Sequence, residues 1–211
     1  MPLFKIDRMA PSRCWALWHI TESESELAAR IAPHEHIPGT LSFPQKRLEF
    51  AAGRLLVKAI LAQLNSPFEG IVKDEHGKPR LTGSLFKISL SHSYPYVAAL
   101  IDANSEAGID IEQPKSKLLR VGPRILHAEE LTDAGTNITK HCVYWCAKES
   151  LMKVYGKRNL AFSENLRIKP FKLESEGLLF GKVIADISMD ITLQYRIFPD
   201  FVLVYSCGEN R

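Results

Sequence analysis

Glu149 and Lys153 stand four residues apart in the stretch WCAKESLMKVYG. At about 100° per residue they share one face of a helix. Alone, such a pair is a surface salt bridge worth about 0.2–0.5 kcal/mol. The flanking residues argue for more. Trp145 and Met152 lie on one side of the pair and Cys142 and Cys146 on the other, while Val143, Ala147, Leu151 and Val154 form an apolar stripe. A carboxylate and an ammonium framed in this way describe the floor of a cleft, where a carboxylate can be held for chemistry.

A second acidic motif lies upstream, in GIDIE. Strand alternation sends Asp110 and Glu112 to one face and Ile109 and Ile111 to the other. Two such carboxylates repel unless they are solvated, paired with cations or joined by a divalent ion. Mg²⁺ favours such sites when substrate phosphates complete its shell. As a lone motif this reads as a solvated strand end. If Glu149 faces the strand, three carboxylates and a lysine make a metal and phosphate site.

Three weaker signals accompany these. His92 sits among hydroxyls in SLSHS, next to Ser91, where it either donates to a phosphate oxygen or satisfies a local turn. Gly77, Lys78 and Pro79 form either a hairpin turn or a stiff backbone flat enough to lie against an adenine ring. Lys46, Arg47, Arg54 and Lys58 fall along one long helical stretch, where charges are ordinarily a solvated face.

The elements that must position these residues are legible from pattern. Cys14 to Ile20 reads as a strand. Thr21 and Glu24 offer a capping box to a helix ending near Ile31, and Pro33 to Thr40 is loop. Ser42, Pro44 and Gln45 start a core-packed helix carried by Leu48, Ala51, Ala52, Leu55, Leu56, Ala59 and Ile60, which Asn65 and Pro67 stop. Lys87 to Ser93 and Tyr96 to Ile101 read as strands pairing across Tyr94 and Pro95, followed by the AGIDIE strand. Two short helices broken at Gly122 and Pro123 come next, then a long helix from Ile138 to Tyr155 closed by Gly156. LRIKPFKLE, GLLFGKVIAD, DITLQYRIF and FVLVYSC complete the chain as strands. Each half thus places one long apolar helix beside several strands, with the change near Asp102 to Glu106.

A chain of 211 residues with 45% hydrophobic and 24% charged residues can bury a sizeable core without help. The stretch MPLFKIDRMAPSRCW lacks a secretory apolar run, and no segment reaches a membrane span, so the expected location is cytoplasmic, with no membrane partner. Cys14, Cys142, Cys146 and Cys207 show no metal or disulfide spacing and read as reduced core thiols. A net charge of +3 is too mild to argue for nucleic acid.

Taken in order, GKP, ISLSHS, AGIDIE and WCAKESLMKVYG resemble the 4′-phosphopantetheinyl transferases, of the larger, pseudo-dimeric, surfactin-synthetase-activating type. The match runs from Ser42 to Phe162. Its specific part is the paired signature G-[IV]-D-[IV]-E and W-x-x-K-E-[SA]-x-x-K.

The resemblance implies an α+β fold of two pseudo-twofold-related halves, each with a long helix on a mostly antiparallel sheet, and an active site between them. Residues 1–104 would form the coenzyme A adenine and phosphate side. Residues 105–211 would carry the metal-binding strand and catalytic helix, together one globular unit and, by default, a monomer.

The implied reaction moves the phosphopantetheine arm of coenzyme A to a serine of an apo acyl or peptidyl carrier protein. It requires Mg²⁺ and releases adenosine 3′,5′-bisphosphate. Asp110, Glu112 and Glu149 would hold the metal, Glu149 would also act as base, and Lys153 would face the pyrophosphate. Ser91 and His92 would meet a phosphate, and Gly77, Lys78 and Pro79 would flank adenine. Trp145 and Lys148 would shape the helix. In one departure, Pro33 to Ile37 reads PHEHI where family members often carry lysines for the 3′-phosphate; Lys46, Arg47 and Arg54 are the nearest replacements. The carrier's pathway, whether fatty-acid, polyketide or nonribosomal-peptide synthesis, stays open.

Two other readings compete. A metal-dependent nuclease or phosphodiesterase also uses carboxylates and a lysine, but usually with acid and lysine two apart on one strand. A non-catalytic coenzyme A or carrier-protein binding module has no need of three converging carboxylates.

Overall fold

The structure, a computed structural model, describes residues 3–33, 35–157 and 159–208. The chain forms two compact units, one ending at Ser105 and the other starting at Glu106. Both are α+β, each with a long helix on an antiparallel sheet, as expected from the pattern.

The first unit contains β1 (Leu3–Ala10), β2 (Arg13–His19), α1 (Glu24–Ile31), α2 (Pro44–Gln63), β3 (Ile71–Lys73), β4 (Pro79–Leu81), β5 (Lys87–Ser93) and β6 (Tyr96–Asp102). The sheet order is β1-β2-β6-β5-β4-β3, and β5 and β6 pair as the expected hairpin, with His92 opposite Val97. Pro44 opens α2, where its missing N–H costs nothing. Ala51, Ala52, Leu55, Leu56 and Ile60 all bury as the pattern requires, against Trp18, Val97, Ala99 and Ile101 of the sheet. The cap of α1 differs from expectation by two residues. Ser23, not Thr21, is the N-cap, and Glu26 closes the box by accepting from the Ser23 N–H at 2.8 Å. Strand β1 was not expected: only partly buried at the sheet edge, it lacks a clean apolar alternation.

The second unit runs β7 (Ile109–Glu112), α3 (Lys117–Ile125), α4 (Ala128–Ala134), α5 (Ile138–Tyr155), α6 (Phe162–Asn165), β8 (Leu166–Ile168), β9 (Glu176–Val183), β10 (Met189–Ile197) and β11 (Val202–Ser206). Its sheet order is β7-β11-β10-β9-β8. The expected break at Gly122 and Pro123 does not occur: α3 passes through both, and the chain turns instead at Leu126 and His127. Gly122 answers a packing need, since a Cβ there would lie 2.9 Å from the His141 ring. On α5, Val143, Ala147, Leu151 and Val154 are buried together with Cys142 and Cys146, and Gly156 ends the helix in the left-handed region at φ 76°. Of the expected core thiols, Cys14, Cys142 and Cys146 are buried, whereas Cys207 is only half-buried. No helix among the described residues is long and apolar enough to cross a membrane.

Candidate active site

Strand β7 lies at the edge of its sheet, paired antiparallel with β11 so that Asp110 stands opposite Val204 and Glu112 opposite Val202. Helix α5 packs across both strands. Gly108 permits this approach, because a Cβ there would lie 2.2 Å from the Ser150 carbonyl oxygen. Ser150 in turn donates its hydroxyl to the Val204 carbonyl at 3.1 Å, fixing α5 on β11. The glycine that opens GIDIE is thus what lets the acidic strand reach the helix.

The Lys153 ammonium crosses from α5 to β7 and donates to Asp110 Oδ1 and to the Ile109 carbonyl, both at 2.8 Å. Its bonded partner is therefore on the strand and not Glu149 on its own helix. Asp110 is 5% exposed. Burial raises the Glu149 carboxyl above its ordinary range and the Asp110 charge raises it further, against an opposing pull from Lys153. Cys146 lines the same spot. Burial, with Cys142 and Asp110 adding to it, pushes its thiol well up, so it stays protonated and inert.

Glu112 takes a different course. Its Oε1 accepts from the Gln113 N–H at 2.9 Å and its Oε2 from Lys117 at 3.3 Å. Among the described residues, no three His, Cys, Asp or Glu side chains lie close enough to form a metal-holding group. The structure therefore brings Asp110, Glu149 and Lys153 together and turns Glu112 toward Lys117. The donor set still fits a hard divalent cation: two carboxylates sit in a water-poor place, one raised by the other's charge, with one ammonium to offset both.

Behind the helix, Lys148 is fully buried and pairs with Glu130 at 2.6 Å while donating to the Phe162 carbonyl at 2.9 Å. Burial lowers the Lys148 ammonium, and Glu130 counters this. Glu130 also accepts from the backbone N–H of His127 and Ile168, so one carboxylate ties α4, α5 and β8 together, while Lys148 adds α6. The sequence reading did not single out Glu130; the available signal was its position at the third residue of a helix, where a carboxylate caps.

In the first unit, Gly77 holds φ 83° in a turn where the Asp74 N–H donates to the Lys78 carbonyl, the Gly77 N–H to the Asp74 carbonyl and the Lys78 N–H to Asp74 Oδ1. The Lys78 side chain is buried at 7% exposure, and Ser91 is buried as well. The three cations offered for the 3′-phosphate differ sharply. Arg47 makes a bidentate pair with Glu24 and donates to the Pro38 and Leu41 carbonyls, so it fastens the loop to α1 and α2. Arg54 lies over the Phe50 ring, 3.3 Å from its centroid, and pairs with Glu35 at 3.4 Å. Within PHEHI, Glu35 thus serves Arg54 and the Ile71 N–H, while His34 lies outside the described residues. Lys46 alone of the three projects outward, beside His92.

Comparison with known proteins gives the same direction. The profile of the 4′-phosphopantetheinyl transferase superfamily matches residues 106–186, and that of the 4′-phosphopantetheinyl transferase N-terminal domain matches residues 32–102. The 4′-phosphopantetheinyl transferase HetI of Nostoc sp. is 29% identical, over 75% of this chain and 77% of the relative. With each unit matching its own profile and the acidic strand and helix in contact, the chain belongs to the 4′-phosphopantetheinyl transferase superfamily.

Proposed function

We propose that the protein transfers the 4′-phosphopantetheine arm of coenzyme A to a serine of an apo acyl or peptidyl carrier protein, as an enzyme of the larger surfactin-synthetase-activating type. The observation that carries this reading is the contact of Lys153 with Asp110 beside the raised carboxyl of Glu149. A lysine has three donors, and two of those on Lys153 are bound to the strand. The third is held in place to meet a phosphoryl oxygen without reorganisation.

In the reaction, the carrier serine oxygen forms a bond to the phosphorus that bears the pantetheine arm. The bond from that phosphorus to the adenosine 3′,5′-bisphosphate oxygen breaks. Glu149 accepts the serine proton, and its raised pKa makes it a stronger base than an exposed carboxylate. Lys153 stabilises the charge that grows on the leaving side. Asp110 and Glu149, with Glu112 on the same strand, are the residues that would hold Mg²⁺; when bound, it supplies positive charge against phosphoryl oxygens. On this reading the first unit serves the nucleotide, through the Gly77 to Pro79 turn, Ser91 and His92.

The direct test is product release. Adenosine 3′,5′-bisphosphate should appear only when coenzyme A, Mg²⁺ and an apo carrier are all present, and not with a carrier whose acceptor serine is alanine. Its release from coenzyme A alone would point to a phosphodiesterase instead.

A further inference from the structure

Strand β9 has two unlike faces. Leu179, Gly181 and Val183 turn toward α5 and are buried, and a Cβ at Gly181 would lie 2.9 Å from the Leu151 side chain. The alternate residues, Glu176, Leu178, Phe180 and Lys182, turn to the other side and are exposed. Leu178 and Phe180 are open to solvent at 55% and 53%, where an uncovered sheet face ordinarily carries polar side chains. The register with β10 carries this face onward. Glu176 stands opposite Arg196, Leu178 opposite Gln194, Phe180 opposite Thr192 and Lys182 opposite Asp190. Glu176 and Arg196 pair at 3.1 Å, and the Lys169 ammonium lies 6.0 Å from the Phe180 ring centroid without covering it.

The order of charge along this face selects its partner. Along β9 the outward residues run acid, apolar, apolar, base, and along the paired residues of β10 they run base, polar, polar, acid. A partner of uniform charge would meet one attractive and one repulsive group at each end. A second copy meets only attractive ones when it is turned about a two-fold axis that lies between the stacked sheets, across the strands and level with Leu179. In that arrangement β9 runs antiparallel over the second β9, and β10 over the second β10. Glu176 then faces Lys182 of the partner subunit, Arg196 faces the partner's Asp190 and Leu178 faces the partner's Phe180. The same contacts recur with the roles exchanged, as an isologous interface requires. Stacked sheets pack about 10 Å apart through side chains of this size. The face lies on the side of the sheet away from α5, and β11 and β10 separate β9 from β7, so pairing there does not involve Asp110, Glu149 or Lys153.

We propose that two copies of this chain pair through the outward face of β9 and β10, as a two-fold dimer with Leu178 and Phe180 at its centre and oppositely charged pairs at both ends. The dimer replaces the default monomer of the sequence reading and does not depend on the reaction assigned above. One apolar strand with a charged rim makes a reversible pair, not a permanent one.

Sedimentation equilibrium of the full chain tests this. Wild type should be a monomer and dimer mixture whose dimer fraction rises through the micromolar range; a monomer that persists to millimolar concentration overturns the proposal. Phe180→Asp and Leu178→Asp should each weaken the dimer at least about tenfold, since each puts an unpaired charge into the apolar stripe. Two charge exchanges then test the register while keeping the cross-strand pairs within each chain. Glu176→Lys/Arg196→Glu and Lys182→Glu/Asp190→Lys each set like charges against each other at both ends of the dimer, so either should weaken it at least about tenfold. The chain carrying both exchanges restores every pair and should dimerise within about threefold of wild type, a rescue that independent sites would not give. A dimer indifferent to Phe180→Asp uses another face, and a combined variant no tighter than either exchange alone pairs in another register; each result overturns the proposal. If Phe180→Asp fails to fold, Leu178→Asp and the exchange variants decide by the same comparison.

Discussion

Lys153 reaches from α5 to Asp110 on β7, with Nζ 2.8 Å from Oδ1, and not to Glu149 one turn back on its own helix. The i,i+4 spacing therefore does not create a surface salt bridge; it places two groups of opposite charge beside a third. Lys153→Gln should lower kcat by about a hundredfold, since it removes a preorganised donor from a water-poor site. Carrier KM should stay within about threefold, because uniform binding is untouched. Steady-state kinetics at saturating Mg²⁺ check this, and near wild-type kcat would return Lys153 to a structural role.

Gly108→Ala should be costly although it adds one methyl group. The added Cβ would meet backbone, the Ser150 carbonyl oxygen at 2.2 Å, and Val154 at 2.7 Å. A clash with backbone cannot be relieved by a rotamer change, so about 1–3 kcal/mol of stability should be lost. Activity should fall as well, as β7 is pushed off α5 and Asp110 leaves Lys153. Denaturant midpoints and transfer rates measured on one preparation would show both effects.

Acid should act through Asp133. Burial alone would raise this carboxyl, but Lys140 at 2.8 Å, the Tyr144 hydroxyl at 2.6 Å and the Phe171 N–H together bring it below the usual range. A carboxylate lowered on folding contributes stability that is fully present above its unfolded pKa and is lost as pH falls through the folded one. Asp133→Asn should therefore be less stable than wild type at neutral pH, and the gap should close below the unfolded value of 3.8. Thermal melts at neutral pH and at pH values below 3.8 measure it; a gap that stays constant would remove Asp133 from the acid response.

Much of this was legible in the sequence, and the gaps have physical causes. The 3.6-residue stripe through Val143, Ala147, Leu151 and Val154, and the Gly156 stop, mark α5 because both faces of that pattern are used. The β5 and β6 hairpin is marked by alternation on either side of Tyr94 and Pro95. Gly122 and Pro123 mislead, because the helix carries a proline in its last turn, and the glycine answers the His141 ring packed against it and not a break. Asp110 and Lys153 could be named as chemical groups, but their bond depends on how closely β7 meets α5, a distance that spacing along the chain does not encode. Glu49 and Glu130 stayed hidden for a related reason. A charge on a helix reads as solvated unless its burial is known, and both lie under basic side chains brought by other segments, β5 in one case and α5 in the other.

We propose transfer of the phosphopantetheine arm to a carrier protein with Glu149 as the base. The intact mass of an apo carrier, followed over time with coenzyme A, Mg²⁺ and either wild type or Glu149→Gln, tests it most directly. Wild type should add the mass of one phosphopantetheine arm to the carrier, and Glu149→Gln should do so at least about a hundredfold more slowly, as for loss of a general base. A carrier that gains no mass with wild type, or one that Glu149→Gln converts at the wild-type rate, would contradict the account.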